Sequence, residues 1–114
     1  MEFSPDWNRL AWVARGTVLI MDVISGYTLA ELSHEDFVQA IAWSVDSSIL
    51  ATAAAGSSDG QLQPYVYLWD SSSGALLNKL SQPGSVLSMS FSPDGRELAV
   101  LSSGGALQVW KVSP

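Results

Sequence analysis

The sequence predicts an all-β protein built from three copies of one repeat. A turn motif occurs at 3–6 (Phe-Ser-Pro-Asp), at 43–46 (Trp-Ser-Val-Asp) and at 91–94 (Phe-Ser-Pro-Asp), and Leu-Ala follows four residues after each Asp. The copies begin 40 and then 48 residues apart. Helical periodicity is not sustained over any useful length. A period of this size indicates a repeat architecture, in which each unit buries its apolar face against its neighbours.

Short strands are predicted within each copy from alternating apolar residues and from β-branched or aromatic residues. The first strands are predicted at 38–44 and 86–92, and the first copy keeps only the end of its own, at Phe3. The second strands, rich in small residues, are predicted at 10–14, 50–54 and 98–102. The third strands are predicted at 18–22, 65–70 and 107–112, and the fourth at 28–32 and 75–80. The third copy has no fourth strand, so about eleven strands are expected.

The connections between these strands have turn residues with a physical role. Pro at the early position of a turn presets φ, and Asp hydrogen-bonds to its own backbone, so the Pro-Asp motifs should join first to second strands. Gly26 and Gly74 each stand four residues after an Asp that ends a third strand. We expect them in the turns to the fourth strands, at positive φ.

Further motifs complete a known pattern: Tyr67-Leu68-Trp69-Asp70, Ser73-Gly74 and Val109-Trp110-Lys111. With the repeated turns, they make the chain similar to the WD-repeat β-propeller family over nearly its whole length. The resemblance implies three four-stranded antiparallel blades in an incomplete ring, with the first strand of each blade nearest the centre. Blade 1 is placed at about 1–33, blade 2 at about 37–81, and blade 3 at about 85–114 without its outer strand.

Three blades do not close a ring whose usual range is roughly four to eight blades. An open stack leaves apolar blade faces and unpaired strand edges in water. We therefore expect the chain to be part of a longer propeller, with completion by another chain as the alternative. The isolated chain is expected either to associate through blade faces and edges or to behave as a marginally stable, aggregation-prone fragment. Trp69 and Trp110 are predicted to be buried between sheets, and Trp43 to pack at the end of an inner strand.

The composition argues against several classes of function. Eleven acidic residues stand against five scattered basic ones, for a net charge of −6, so the clustered cations of a nucleic-acid-binding protein are missing. The acidic surface favours solubility, with a basic partner as the alternative. Cysteine is absent, so no disulfide or Cys-based zinc site is expected. No apolar run approaches the roughly 20 residues of a membrane span. A soluble, cytoplasmic protein is expected.

The resemblance also implies a buried polar network in the second blade. In the family a His before an inner strand joins a Ser or Thr, the Trp of the third strand and a loop Asp; the matching residues are His34, Thr52, Trp69 and Asp59. Ser33 replaces the Gly that often precedes this His. The third copy has Gln82 at the His position, and the first has Met21 at the Trp position, so only the second blade can hold the full set. An exposed loop His is the alternative, and a catalytic or metal role is least favoured.

One segment departs from the repeat. The stretch from Asp46 to Asp70 is 24 residues, against 16 and 17 in the other copies, and the extra residues fall in 55–64, a flexible polar loop by composition. In the family such loops share a docking face with the segments that join fourth to first strands. A tolerated insertion and a partner-contact loop both remain open. The candidate contact residues are Ser57, Ser58, Asp59, Gln61, Leu62 and Gln63.

The sequence favours a non-enzymatic scaffold that binds other proteins or further propeller blades, with no nucleic acid, membrane or cofactor. The scattered Asp residues are explained by their hydrogen bonds in turns. With one His and no Gly-x-Ser-x-Gly motif, the sequence does not provide a catalytic triad. A fragment of a propeller enzyme is the first alternative; it would require convergent ionisable residues on inner strands. A self-assembling structural unit, a homo-oligomer that completes the ring, is the second.

Overall fold

Eleven antiparallel strands make up the fold in a computed structural model that describes residues 2–34, 37–58, 61–103 and 105–111, with backbone alone at 57, 58, 61 and 62. No helix occurs among these residues. The strands are β1 Glu2–Phe3, β2 Arg9–Ala14, β3 Thr17–Asp22, β4 Thr28–Ser33, β5 Val38–Trp43, β6 Ile49–Ser58, β7 Gln61–Asp70, β8 Leu76–Ser81, β9 Val86–Phe91, β10 Glu97–Ser102 and β11 Leu107–Lys111.

The strands form three separate meander sheets, one for each copy of the repeat. The first blade is β1-β2-β3-β4, the second is β5-β6-β7-β8, and the third is β9-β10-β11 over its described residues. The predicted all-β class, with antiparallel blades in an open ring, is confirmed. Sequence-adjacent strands pair because turns of a few residues join them, and such turns permit only antiparallel neighbours.

The second blade is covered on both faces. Leu50 and Trp69 project from one face into a cluster with Val18, Ile20 and Leu32 of the first blade. Residues one step along the same strands project from the other face, so Ala51, Ala53, Val66 and Leu68 pack against Val86, Leu98 and Val100 of the third blade. Alanines on β6 let the sheets come close, and Ala51 and Ala53 are fully buried. The core therefore consists of two blade-to-blade interfaces.

The three Ser-x-Asp turns have one hydrogen-bond pattern. In the first copy the Ser4 hydroxyl donates to Asp6 Oδ1 over 2.6 Å, and the same oxygen accepts the Asn8 amide over 3.0 Å. Ser44 and Asp46 repeat this arrangement, with the Ser48 amide as second donor. These bonds hold the carboxylate pKa of both Asp residues below its usual range, the Ser4 hydroxyl being the main cause at Asp6 and Ser48 at Asp46. The predicted turn role of Asp is thus observed.

The prediction of a flexible polar loop at 55–64 is wrong. β6 runs on to Ser58 and β7 starts at Gln61, and the two strands pair from Ala55↔Pro64 to Ser58↔Gln61. Their other neighbours stop earlier, since β5 pairs as far as Ala54 and β8 as far as Tyr65. We call residues 55–58 and 61–64 the ribbon; it projects beyond the sheet as two paired strands. Backbone pairing across the ribbon satisfies the groups that an open loop would leave to water.

The two end faces of the stack carry exposed apolar side chains. On the first blade Trp12 is 49% exposed, and on the third blade Leu107 and Val109 are 66% and 58% exposed. Trp43 lies at the end of β5 and packs against the first cluster, as predicted. Trp69 is buried, whereas Trp110 packs against the second cluster but is only partly buried. Over the described residues β11 pairs with β10 alone, which leaves its other edge without the cover that β8 gives to β7.

Candidate functional site

The candidate site is the polar network between the first and second blades. His34 follows β4, and its amide donates to the Gly16 carbonyl over 2.8 Å, so the first blade fixes its backbone. Its ring extends to the second blade, where Nε2 lies 2.6 Å from Thr52 Oγ1. The Trp69 indole Nε1 donates to the same Thr52 oxygen over 2.9 Å. The structure thus brings together three of the four residues proposed for the network.

Hydrogen-bond directions in this network follow from the donors and acceptors present. His34 Nδ1 lies 3.1 Å from the Gly16 carbonyl oxygen, which can only accept, so Nδ1 carries a proton. In the neutral ring Nε2 is then an acceptor, and the Thr52 hydroxyl donates to it while accepting from Trp69. The side-chain polar atoms of His34, Thr52 and Trp69 thus all have complementary partners. With both nitrogens occupied, His34 is not free to act as a base or a metal ligand.

The surroundings of His34 favour its neutral form. Its ring meets the rings of Tyr67 and Trp69 edge-on, with centroids 5.1 Å and 5.4 Å away. Burial lowers the pKa of His34, and its bonds to backbone carbonyls only partly oppose this effect. A cavity of about 340 Å³ opens beside the ring, lined also by Ser33, Leu76 and Lys79. The Lys79 ammonium lies 4.2 Å from the centre of the Tyr65 ring, within the range of a cation–π contact.

The lowered pKa of His34 predicts a pH dependence of stability. The group binds its proton less readily when folded, so its contribution is complete above the unfolded pKa of about 6.5 and is lost as pH falls through the folded pKa. Denaturant unfolding at pH 5 and at pH 7.5 should show a lower free energy of unfolding at pH 5. His34→Gln is the control, because this chain has no other histidine and the variant should have little pH dependence in this range. An equal dependence in parent and variant would contradict the assignment.

The third blade has the same framework without the network. Leu98 pairs with Trp110 as Leu50 pairs with Trp69, so Val100 occupies the register of Thr52. Gln82 replaces His34 in register, with its amide bonded to the Pro64 carbonyl over 3.0 Å. As a result, Trp110 Nε1 and Gln82 Oε1 are both buried without a hydrogen-bond partner in the part of the chain that the structure describes. The sequence signal for the missing network is that Gln82 and Val100 stand where the second blade has His34 and Thr52.

Val100→Thr should create in the third blade a hydrogen-bond network like that of the second blade. The new hydroxyl would accept from Trp110 Nε1 and donate to Gln82 Oε1, and we expect a gain of about 1 kcal/mol in the free energy of unfolding. Chemical denaturation measures it. Val18→Thr is the matched control, since Val18 is also fully buried; a hydroxyl without a partner there should cost about 1–3 kcal/mol. Equal losses at both sites would show that Trp110 and Gln82 do not reach position 100.

The other proposed site residues divide into two groups. Asp59, proposed for both the network and the contact loop, lies outside the described residues. The backbones of Ser57, Ser58, Gln61 and Leu62 lie in the ribbon, and Gln63 is exposed there. Among the described residues, no group of three or more His, Cys, Asp or Glu side chains could hold a metal ion. The described part of the chain also has no helix long and apolar enough to cross a membrane.

Comparison with known proteins decides the family. The family model for the WD domain, G-beta repeat, matches residues 26–63 and 74–111. The chain belongs to the WD40 repeat family. Its two matched WD repeats both start at the glycine of a third-to-fourth strand turn, at Gly26 and Gly74, where φ is 75°. The resemblance predicted from the sequence is confirmed.

Curated relatives of this WD-repeat chain are much longer proteins. It is 32% identical over 97 residues to the periodic tryptophan protein 2 homolog of Schizosaccharomyces pombe, covering 83% of this chain and 10% of that protein. It is 33% identical over 98 residues to autophagy-related protein 18 of Dictyostelium discoideum, covering 85% of this chain and 26% of that one. The chain thus spans a tenth to a quarter of these relatives.

Solved structures show the same fold at low identity. The β-propeller domain of Myceliophteria thermophila Cps50 (Swd1) matches 99% of this WD-repeat chain, and 35% of its own, with a TM-score of 0.81 and 19% identity. Kuenenia stuttgartiensis hydrazine synthase matches with a TM-score of 0.81 and 20% identity, over 96% of this chain and 31% of its own. At these identities the likeness concerns the fold alone, because one propeller fold carries many functions.

Proposed function

We propose that this chain is a segment of a non-enzymatic WD-repeat propeller that binds another protein through its ribbon. The observation that carries the proposal is the extension of β6 and β7 beyond both neighbouring strands. The ribbon leaves the blade at the end of the strands where the His34 and Gln82 segments also lie, so the three form one continuous face. The ribbon, on which Gln63 is exposed, offers backbone and side-chain contacts at a fixed spacing, as peptide-binding and protein-binding edges do.

The enzyme alternative has little support at the inner edge of the ring. A cavity of about 470 Å³ lies there, between β1, β5 and β9, lined by Glu2, Val13, Val38, Gln39, Ala40, Ile41, Leu87, Ser88 and Met89. Glu2 is the single ionisable side chain in that lining. General acid–base chemistry needs at least two convergent groups whose environments separate their pKa values.

A graft from the first blade tests the ribbon. There β2 and β3 are joined by Arg15 and Gly16 alone, with Ala14 paired to Thr17. Replacing 55–64 by Arg-Gly copies this turn between Ala54 and Tyr65. The carbonyl of the new Gly takes the place of the Pro64 carbonyl, which accepts from the Gln82 backbone amide. A photoreactive residue at position 63 of the parent identifies the protein that it contacts, and binding of that purified protein is then measured.

The graft should abolish that binding while the unfolding midpoint stays close to that of the parent. The control changes an exposed site away from the ribbon, Leu77→Ser on β8, and should leave binding intact. Binding that survives the graft would exclude the ribbon as the contact and favour a tolerated insertion.

A further inference from the structure

A second surface lies at the other end of the strands, and two stacked aromatic rings mark it. We call it the turn face; it consists of the connections 4–8, 23–27, 44–48, 71–75 and 92–96. The rings of Phe3 and Trp7 stack there, with centroids 4.6 Å apart and planes inclined by 29°. Both face solvent, Trp7 at 67% exposure and Phe3 at 41%. The ribbon leaves β6 at the opposite end, so the two surfaces are independent.

The backbone of Trp7 is in a conformation that a large side chain disfavours. Its φ is 62°, and the corresponding residues of the other two turns, Ser47 and Gly95, have φ of 64° and 73°. The left-handed region costs an ordinary L-residue roughly 1–2 kcal/mol, and bulky residues rarely adopt it. Serine and glycine fill the position with little side chain. Trp7 instead carries a large ring that is 67% exposed, whereas Ser47, which accepts from the Asp6 amide of the preceding blade, is 5% exposed.

More apolar surface adjoins the stacked pair. The Trp43 indole Nε1 donates to the Glu2 carbonyl over 3.1 Å, which places this ring beside the strand that carries Phe3. Val45, in the next turn, is 51% exposed. We call Phe3, Trp7, Trp43 and Val45 the aromatic patch. Exposed tryptophans surrounded by other apolar groups are typical of the residues that dominate binding energy in interfaces.

The charges around the aromatic patch are mostly negative. The strand ends and connections of the turn face carry the acids Asp6, Asp22, Asp46, Asp70, Asp94 and Glu97 against the bases Arg9, Arg96 and Lys111. The Ser4 hydroxyl lowers the pKa of Asp6, so this carboxylate beside Trp7 is charged at neutral pH. The Arg9 guanidinium donates through Nη1 to Ser71 Oγ over 2.7 Å, and its charge is a smaller cause of the lowered pKa of Asp6. An occupant of this surface therefore gains from positive charge.

We propose that the aromatic patch docks an extended, positively charged peptide segment of another protein. An Arg or Lys side chain of that segment lies on the exposed face of the Trp7 ring, where the ring's electron density attracts the cation. The carboxylate of Asp6, the residue before Trp7, supplies the opposite charge. Arginine fits best, because its planar guanidinium stacks on the indole and still donates to a carboxylate at its edge.

A short synthetic peptide with three Arg residues separated by Gly is the probe, and the same peptide with Gln in place of Arg is its partner control. Binding to the full chain is followed through the indole N–H resonances and by calorimetry. Trp7→Gly removes the ring and keeps the turn, since Gly95 already adopts the same backbone. We expect this variant to fold at least as stably as the parent and to bind the Arg peptide at least about fivefold more weakly.

Trp12→Thr is the matched control, because Trp12 is another exposed tryptophan, on an end face of the stack, and the second blade has Thr52 in its register. This variant should bind the Arg peptide like the parent. Equal affinity of the parent for the Gln peptide would overturn the proposal, and so would unchanged affinity in Trp7→Gly. A third contrary result is a fall in solution mass on Trp7→Gly with no binding of the Arg peptide, which would assign the aromatic patch to a second copy of this chain.

Discussion

Trp69→Ala is expected to lower the free energy of unfolding by about 3–5 kcal/mol, the largest single effect in this chain. The ring is 9% exposed and belongs to the cluster that joins the first and second blades. Truncation opens a cavity between two sheets, and it also removes the donor to Thr52. Chemical denaturation followed by far-UV circular dichroism measures the loss, since this signal does not depend on the deleted tryptophan.

Trp110→Ala is the internal comparison for Trp69→Ala. Trp110 occupies the same register in the third blade, but it is only partly buried and its Nε1 has no partner. Its replacement should cost clearly less than that of Trp69. Equal losses for the two variants would show that the blade-to-blade contact of Trp69 carries no special weight, and an unchanged unfolding curve for Trp69→Ala would exclude its place in the core.

His34→Ala is expected to lower the free energy of unfolding by about 1–3 kcal/mol, the second largest effect. The variant leaves the Thr52 hydroxyl without its acceptor and the Gly16 carbonyl without its ring donor. Thr52→Val should cost a similar amount, because it leaves both His34 Nε2 and Trp69 Nε1 unpaired inside the protein. In the double variant the two losses should not add, and the coupling energy should be about 0.5–3 kcal/mol.

Two controls test whether the stability loss of His34→Ala comes from the hydrogen-bond network. Thr28→Val changes an exposed threonine on β4 and should alter stability by less than about 0.5 kcal/mol. Binding of any protein at the ribbon should survive His34→Ala at temperatures where the variant is folded. A His34→Ala variant that keeps full stability but loses binding would instead assign His34 a direct part in recognition.

Sequence pattern predicted the strands well where local chemistry decides the structure. The Ser-x-Asp motifs and Gly26 and Gly74 fix turns through their own hydrogen bonds and positive φ, so strand positions follow from them within one or two residues. The ribbon was missed, because Gly56 and Pro64 are both poor strand formers. The signal that could have revealed it is Asp59-Gly60, a dipeptide favoured in two-residue hairpin connections.

Side-chain exposure depends on neighbours that a repeat pattern does not specify. Trp110 matches Trp69 in register, yet its burial differs because no further described strand covers β11. For the same reason the stacking of Trp7 on Phe3 was not predicted. The position of Trp7 after the turn motif is visible in the sequence, but its ring contact depends on three-dimensional packing. The network was predictable from family resemblance, whereas the hydrogen bond of His34 Nδ1 to Gly16 was not.

The position of the ribbon has a mechanical consequence. Both of its strands continue into the middle of the second blade, where β5 and β8 flank them and a blade packs on either face. A load applied by a bound protein at 55–64 is therefore spread over a four-stranded sheet rather than taken by one peripheral strand. The same strands carry Thr52 and Trp69, so tension on the ribbon reaches the first blade through His34. The ribbon is thus anchored in a blade that packs against a neighbour on both of its faces.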